Sequence, residues 1–128
     1  MRYPSVEECL TLHRLLIEQS GGRAGISDIN RLKSALTQPK IRNFAGKALY
    51  PTLIEQAAAL ACSFMRNRPF IDGNKRFSHA ITEAFFVLND YEIEAEEEEQ
   101  ERIFLSLANK NMQYDEFAAW LKEHVVKF

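Results

Sequence analysis

Apolar residues return at helical spacing along most of this chain, and the interruptions mark the ends of elements. Val6, Cys9, Leu10, His13, Leu16 and Ile17 form a first stripe, preceded by the capping-box spacing of Ser5 and Glu8 and stopped by Gly21-Gly22. Asp28 is placed to cap a shorter helix carrying Ile29, Leu32, Ala35 and Leu36, which must end before Pro39. A second capping box, Thr52 to Glu55, opens a helix with Leu53, Gln56, Ala57, Leu60, Ala61 and Phe64. Its small residues Ala57, Ala58, Ala59 and Ala61 fall on several faces, as suits a central helix closely approached by neighbours. Phe77, Ala80, Ile81, Ala84, Phe85 and Leu88 define a fourth helix, closed by Asn89-Asp90.

The remaining pattern is less regular. Lys40 to Pro51 mixes Ile41, Phe44, Leu49 and Tyr50 with Arg42, Gly46 and Lys47, which reads as a small hairpin or flap near residues 40–50, with a plain surface connection as the alternative. Tyr91-Glu92-Ile93 alternates as a short extended connector. Glu96 to Glu99 is the acidic first turn of a helix with Ile103, Phe104 and Leu107; consecutive carboxylates there diverge, so the run is a poor metal site. Asp115 is placed to cap a last helix carrying Phe117, Ala118, Trp120, Leu121 and Val125, with Trp120 a core anchor. The expectation is an all-α single domain, residues 1–128, of about six helices.

Composition narrows the function. The chain has 128 residues, 46% hydrophobic and 27% charged, enough for one globular core. A net charge of -2 argues against a general nucleic-acid binder. Charge is unevenly spread, however: Arg66 to Arg76 holds four cations and one acid, whereas Asp90 to Glu101 holds eight acids and no base. Cys9 and Cys62 sit in apolar helical patterns without metal-ligand spacing and read as core thiols. No apolar run is long enough to span a bilayer and no leader pattern opens the chain, so a cytoplasmic protein is expected.

The chemistry concentrates in Asn67-Arg68-Pro69-Phe70-Ile71-Asp72-Gly73-Asn74-Lys75-Arg76, between two apolar helices. A loop feeding a helix start can aim main-chain N–H groups at an anion, and the helix dipole favours negative charge there. Phe70, flanked by polar residues, would anchor the loop in the core. Asp72 is the oxygen ligand that Mg²⁺ prefers. Gly73 allows phosphate a close approach. Asn74 can bond phosphate or hold the loop's shape, and Lys75 and Arg76 would neutralise phosphate charge, Arg76 in bidentate fashion. The plain alternative is an Asp-Gly turn followed by a surface Lys-Arg pair. His13 reads as a core or boundary histidine.

Pro69, Phe70, Asp72, Gly73, Asn74, Lys75 and Arg76 match the signature of the Fic-fold proteins, and the chain resembles their death-on-curing (Doc) branch. Gly25 to Asp28, Leu32, Ser34 to Leu36 with Pro39, and Tyr50-Pro51 through Ala57-Ala58 extend the likeness. The resemblance implies a compact helical bundle. It also implies a toxin, held by an antitoxin whose tail docks in a groove, that moves a phosphoryl group from ATP to a hydroxyl of a translation factor. Asp72 would hold Mg²⁺, Asn74, Lys75 and Arg76 the phosphates, and the segment around Arg42 to Lys47 would be the flap that aligns the target. Family members with Gly at the position of Lys75 transfer AMP instead, which is the alternative activity. No inhibitory Ser/Thr-x-x-x-Glu-Gly/Asn helix is evident, which favours inhibition by a separate chain.

One position departs from the pattern. The family's general base, a histidine, is Arg68 here, and arginine stays protonated with no acceptor. Losing a positioned base commonly costs roughly 10²–10⁴-fold in rate. Two readings follow: an inactivating substitution in a toxin, since a single base change converts His to Arg, or a relative that binds nucleotide or protein without catalysis. His79, on the following helix, is a poor replacement base. A purely structural helical domain is the third, weakest reading.

Overall fold

The computed structural model of the protein describes residues 1–128 and holds six α-helices. They are α1 (Val6–Ser20), α2 (Ile29–Thr37), α3 (Leu53–Asn67), α4 (Asn74–Leu88), α5 (Glu97–Ala108) and α6 (Tyr114–His124). A single 3₁₀ turn, Gln38–Lys40, follows α2 and carries the buried Pro39. Two three-residue strands, β1 (Tyr91–Ile93) and β2 (Val125–Lys127), pair antiparallel with Glu92 opposite Val126. The all-α expectation holds, with this small ribbon added.

Helix α3 is the hub. Ala57, Ala58, Leu60, Ala61 and Phe64 are buried, and α2, α4, α5 and α6 all pack on it. Its alanines let the α4 backbone come close, and Ser78 Oγ donates to the Ala61 carbonyl across that contact at 3.0 Å. From α4, Phe77, Ile81, Phe85 and Phe86 fill the centre, joined by Phe104 of α5 and Phe117 and Leu121 of α6. Phe64 meets Phe77, and Phe104 meets Phe117, edge to face.

Capping follows the sequence in part. Ser5 and Glu8 form the full reciprocal box at α1, and Asp28 Oδ1 accepts from Asn30 N–H at 2.9 Å. At α3, Thr52 Oγ1 accepts from Glu55 N–H, but the Glu55 carboxylate takes the Thr52 hydroxyl rather than its main-chain N–H. At α6 the cap is Gln113, not Asp115: Glu116 reaches back to the Gln113 N–H at 3.1 Å, and Asp115 lies inside the first turn.

Four further expectations are corrected or sharpened. Val125 belongs to β2, because its β-branched run finds a partner in β1 instead of continuing α6. Trp120 packs against the core but is only half-buried; its indole N–H donates to Glu99 Oε2 at 2.9 Å and its ring stacks on His124, pinning α6 to the start of α5. Leu10 lies outside the buried stripe of α1, 37% exposed. Cys9 is a core thiol, pushed up to about 12 by burial, whereas Cys62 is half-buried at about 11, again through burial.

Residues 41–49 do form a hairpin, closed by the Arg42–Ala48 bridge and by Leu49 N–H to Ile41 C=O at 3.0 Å. Asn43 Oδ1 accepts from both Ala45 and Lys47 N–H, and Gly46 takes φ 79° to turn the chain. Phe44 stands fully exposed at its tip. No helix is long and apolar enough to cross a membrane.

Candidate functional site

The loop between α3 and α4 is held from four sides. Arg68 ends α3 in the left-handed region (φ 46°, ψ 62°), with its N–H on the Phe64 carbonyl. Pro69 and Phe70 then turn inward and are buried. Phe70 forms an antiparallel bridge with Ile26, flanked by Ser27 N–H to Pro69 C=O at 2.7 Å and Ile71 N–H to Gly25 C=O at 3.1 Å. The Phe70 ring lies flat on His13, centroids 3.8 Å apart and planes 2° from parallel, and tilts against Phe77. Its expected anchoring role is therefore what the geometry shows.

Asn74 is the second restraint. Its carboxamide accepts from Phe70 N–H and donates to Phe70 C=O, so the side chain braces the loop. Of the two roles the sequence left open, these bonds show the one that holds the loop's shape, and the second hydrogen of the carboxamide is not used by them.

Asp72 is tied to the chain that leaves α1. Its Oδ2 accepts from Arg23 N–H at 3.0 Å and its Oδ1 from Gly73 N–H at 2.9 Å. These two main-chain donors, Arg23 first, hold its carboxyl below the usual carboxylate range, with Arg76 and Arg23 adding to the effect. Gly22, at φ 109°, makes the approach possible; a Cβ there would lie 2.8 Å from Asp72 Oδ2. This second task of the Gly-Gly pair was not legible in the sequence, nor was that of His13, whose Nε2 donates to the Asp72 carbonyl at 2.7 Å. Nothing local signalled either, since Asp72 lies about 50–60 residues further along the chain.

Helix α4 then starts openly. Gly73 is its cap in the left-handed region (φ 75°, ψ 18°) and offers no side chain. No protein acceptor takes the main-chain N–H groups of Asn74, Lys75 and Arg76. Neither Arg68, Lys75 nor Arg76 has a carboxylate within ion-pair distance; Arg76 Nη2 donates only to the Gly21 carbonyl at 3.2 Å. Residues Ile71 to Arg76, with Met65, Arg68 and Ala108, line a cleft of about 300 Å³. Free N–H groups, a helix dipole and unpaired cations converge on it, so it can take an anion.

Arg68 lines this cleft and also a second, more apolar one of about 480 Å³ between Cys62, Met65, Leu107, Met112 and Tyr114. Its guanidinium is exposed and donates to no protein group. His79 Nε2 donates to Gln100 Oε1 at 2.9 Å, its ring stacks on Phe104, and it lines a neighbouring cleft with Glu83, Glu101 and the same Lys75 and Arg76. No group of three or more His, Cys, Asp and Glu side chains converges anywhere in the fold.

The comparisons with known proteins agree with this geometry. Residues 3–86 match the Fic/DOC family. The chain is also 31% identical, over 103 residues, to the Toxin Doc of Mycolicibacterium smegmatis (strain ATCC 700084 / mc(2)155), covering 79% of this chain and 78% of that protein. The family match takes in the whole loop and the α1 segment that braces it. The chain belongs to the Fic/DOC family.

Proposed function

We propose that this chain is a Doc-type toxin whose loop cleft binds the phosphates of ATP and whose reaction is arrested at Arg68. The observation that carries the reading is the start of α4: three main-chain N–H groups without acceptors, beside the unpaired cations of Lys75 and Arg76. That is a cradle for phosphate oxygens. The relative named Toxin Doc supports the toxin role, and with it a cognate antitoxin chain as partner.

The donor set also suits Mg²⁺. This ion commonly takes one or two carboxylates and completes its shell with phosphate oxygens and water. Asp72 is the carboxylate of the cleft, and each of its oxygens, engaged once by an N–H, keeps further acceptor capacity. Asp72 would hold the ion, and a bound Mg²⁺ would supply charge neutralisation at the transferring phosphate. Lys75 and Arg76 stabilise the same charge, and Asn74 keeps the loop in shape.

The reaction in this reading is transfer of the γ-phosphoryl group of ATP to a hydroxyl of a translation factor in the cytoplasm, with the 41–49 hairpin presenting the target. Lys75 favours it over AMP transfer, since AMP-transferring members carry glycine at that position. Arg68 lacks any acceptor to take the hydroxyl proton, so the chain binds but does not turn over. A second reading, a nucleotide-binding module without catalysis, is favoured by the same Arg68.

Expression of Arg68→His separates them. In cells lacking an antitoxin, growth arrest by the revertant, relieved by co-expressing the cognate antitoxin, is the expected result. A harmless revertant that still binds Mg·ATP assigns the chain to the binding module.

A further inference from the structure

The Asp72–Gly73 peptide decides which of its faces the loop turns to the cleft. In a trans peptide the C=O and N–H of one plane point in opposite directions, and the chain has no cis bond. The Asp72 carbonyl is drawn inward, to His13 Nε2 at 2.7 Å. Its plane-mate, the Gly73 N–H, is thereby turned the other way, where it meets Asp72 Oδ1 at 2.9 Å. Rotating this one peptide by half a turn would put a carbonyl oxygen where that N–H stands and would strip Asp72 of a donor. Gly73, already at φ 75°, is the residue type that makes such a rotation easy. Something must oppose it.

His13 is placed to do so. It comes from α1, is buried, and has its ring fixed flat against Phe70. A carbonyl oxygen only accepts, so Nε2 carries a hydrogen. We propose that His13 is the positioning residue of the loop: its Nε2–H locks the Asp72–Gly73 peptide so that the Gly73 N–H, and not a carbonyl, meets the Asp72 carboxylate and fixes it beside the open start of α4. The stack on Phe70 places the ring; the N–H holds the peptide. The role of that carboxylate in holding Mg·ATP rests on the function proposed above, whereas the lock itself does not.

The test uses the full chain without ligand, then with Mg·ATP. His13→Phe keeps a flat ring against Phe70 and removes the N–H, while His13→Gln keeps an N–H of similar reach and removes the ring. Exchange of the Gly73 amide, followed by NMR, is expected to be about tenfold faster in His13→Phe, from the loss of one hydrogen bond, and near the parent rate in His13→Gln. Mg·ATP affinity should follow the same order, weakened about tenfold in His13→Phe and rescued in His13→Gln. Unchanged Gly73 exchange in His13→Phe, or equal loosening in both variants, overturns the lock. The parent supplies a readout that survives misfolding of either variant: long-range ¹H–¹⁵N spectra should show His13 protonated at Nε2, and protonation at Nδ1 alone overturns it. If the amide measurements behave as expected and no form binds Mg·ATP, the lock stands and the phosphate reading fails.

Discussion

The carboxamide of Asn74 closes on the main chain of Phe70 from both sides, accepting its N–H at 3.0 Å and donating to its carbonyl at 2.9 Å. One side chain thus replaces the two ladder bonds that Phe70 would make in a strand, and it does so from the first position of α4. Asn74→Ala leaves a partly buried N–H and C=O without partners, a loss of about 2 kcal/mol. The expected measurement is a lower urea midpoint at unchanged slope. An unchanged midpoint would mean that the loop is held by the Ile26 bridge and His13 alone.

Asp72 gives the loop a pH dependence of known sign. Its folded-state pKa is lowered, first by the Arg23 N–H and then by the Gly73 N–H, so its contribution to stability is present above the unfolded value of about 3.9 and is lost as pH falls through the lower folded value. Asp72→Asn keeps one oxygen and cannot accept from both donors. The parent should therefore be more stable than Asp72→Asn at neutral pH, with the gap closing as the parent is acidified below about pH 4. A gap that stays constant down to pH 2, roughly two units below the unfolded value, would show that the two N–H bonds do not favour the carboxylate.

Gly22 and Gly46 share a positive φ, 109° and 79°, and differ in surroundings. At Gly46 an added Cβ meets nothing within 4 Å, so Gly46→Ala should cost only the backbone strain, about 1–2 kcal/mol. At Gly22 the Cβ would stand 2.8 Å from Asp72 Oδ2 and 3.2 Å from Ile17 Cδ1. Gly22→Ala should cost more in thermal or denaturant unfolding, and it should also weaken Mg·ATP binding, which Gly46→Ala should leave alone. Equal losses in the two variants, with equal affinity, would separate Gly22 from the site.

Much of this was readable from local pattern. Period and caps located six helices, because burial stripes such as Phe77, Ile81 and Phe85 and caps such as Ser5 and Asp28 act within a few residues. The loop stood out because Asp72, Gly73, Lys75 and Arg76 are neighbours in sequence. What escaped notice acts over long range. Strand β2 exists because Val125 to Lys127 meet Tyr91 to Ile93, a pairing across all of α5 and α6 that left Val125 looking like the end of a helix. His13 and Gly22 read as a core residue and a helix stop, since Asp72, the group each serves, arrives from about 50–60 residues further along. Asn74 was ambiguous for a different reason: an amide can serve a phosphate or a backbone equally well, and only the folded position of Phe70 reveals the backbone role.

Arg68 carries the central claim, that an intact phosphate site here lacks only its base. Its left-handed backbone, φ 46°, is one that histidine adopts more readily than most side chains, so Arg68→His should fold without penalty. The decisive measurement is label transfer by purified Arg68→His, using ATP labelled in turn at the γ- and α-phosphates, with a cell extract as acceptor. The expected result is one protein labelled from γ-phosphate only, at a rate roughly 10²–10⁴-fold above the parent chain. Label from the α-phosphate would replace phosphoryl transfer with AMP transfer, and no label from either, in a revertant that binds Mg·ATP, would contradict the claim.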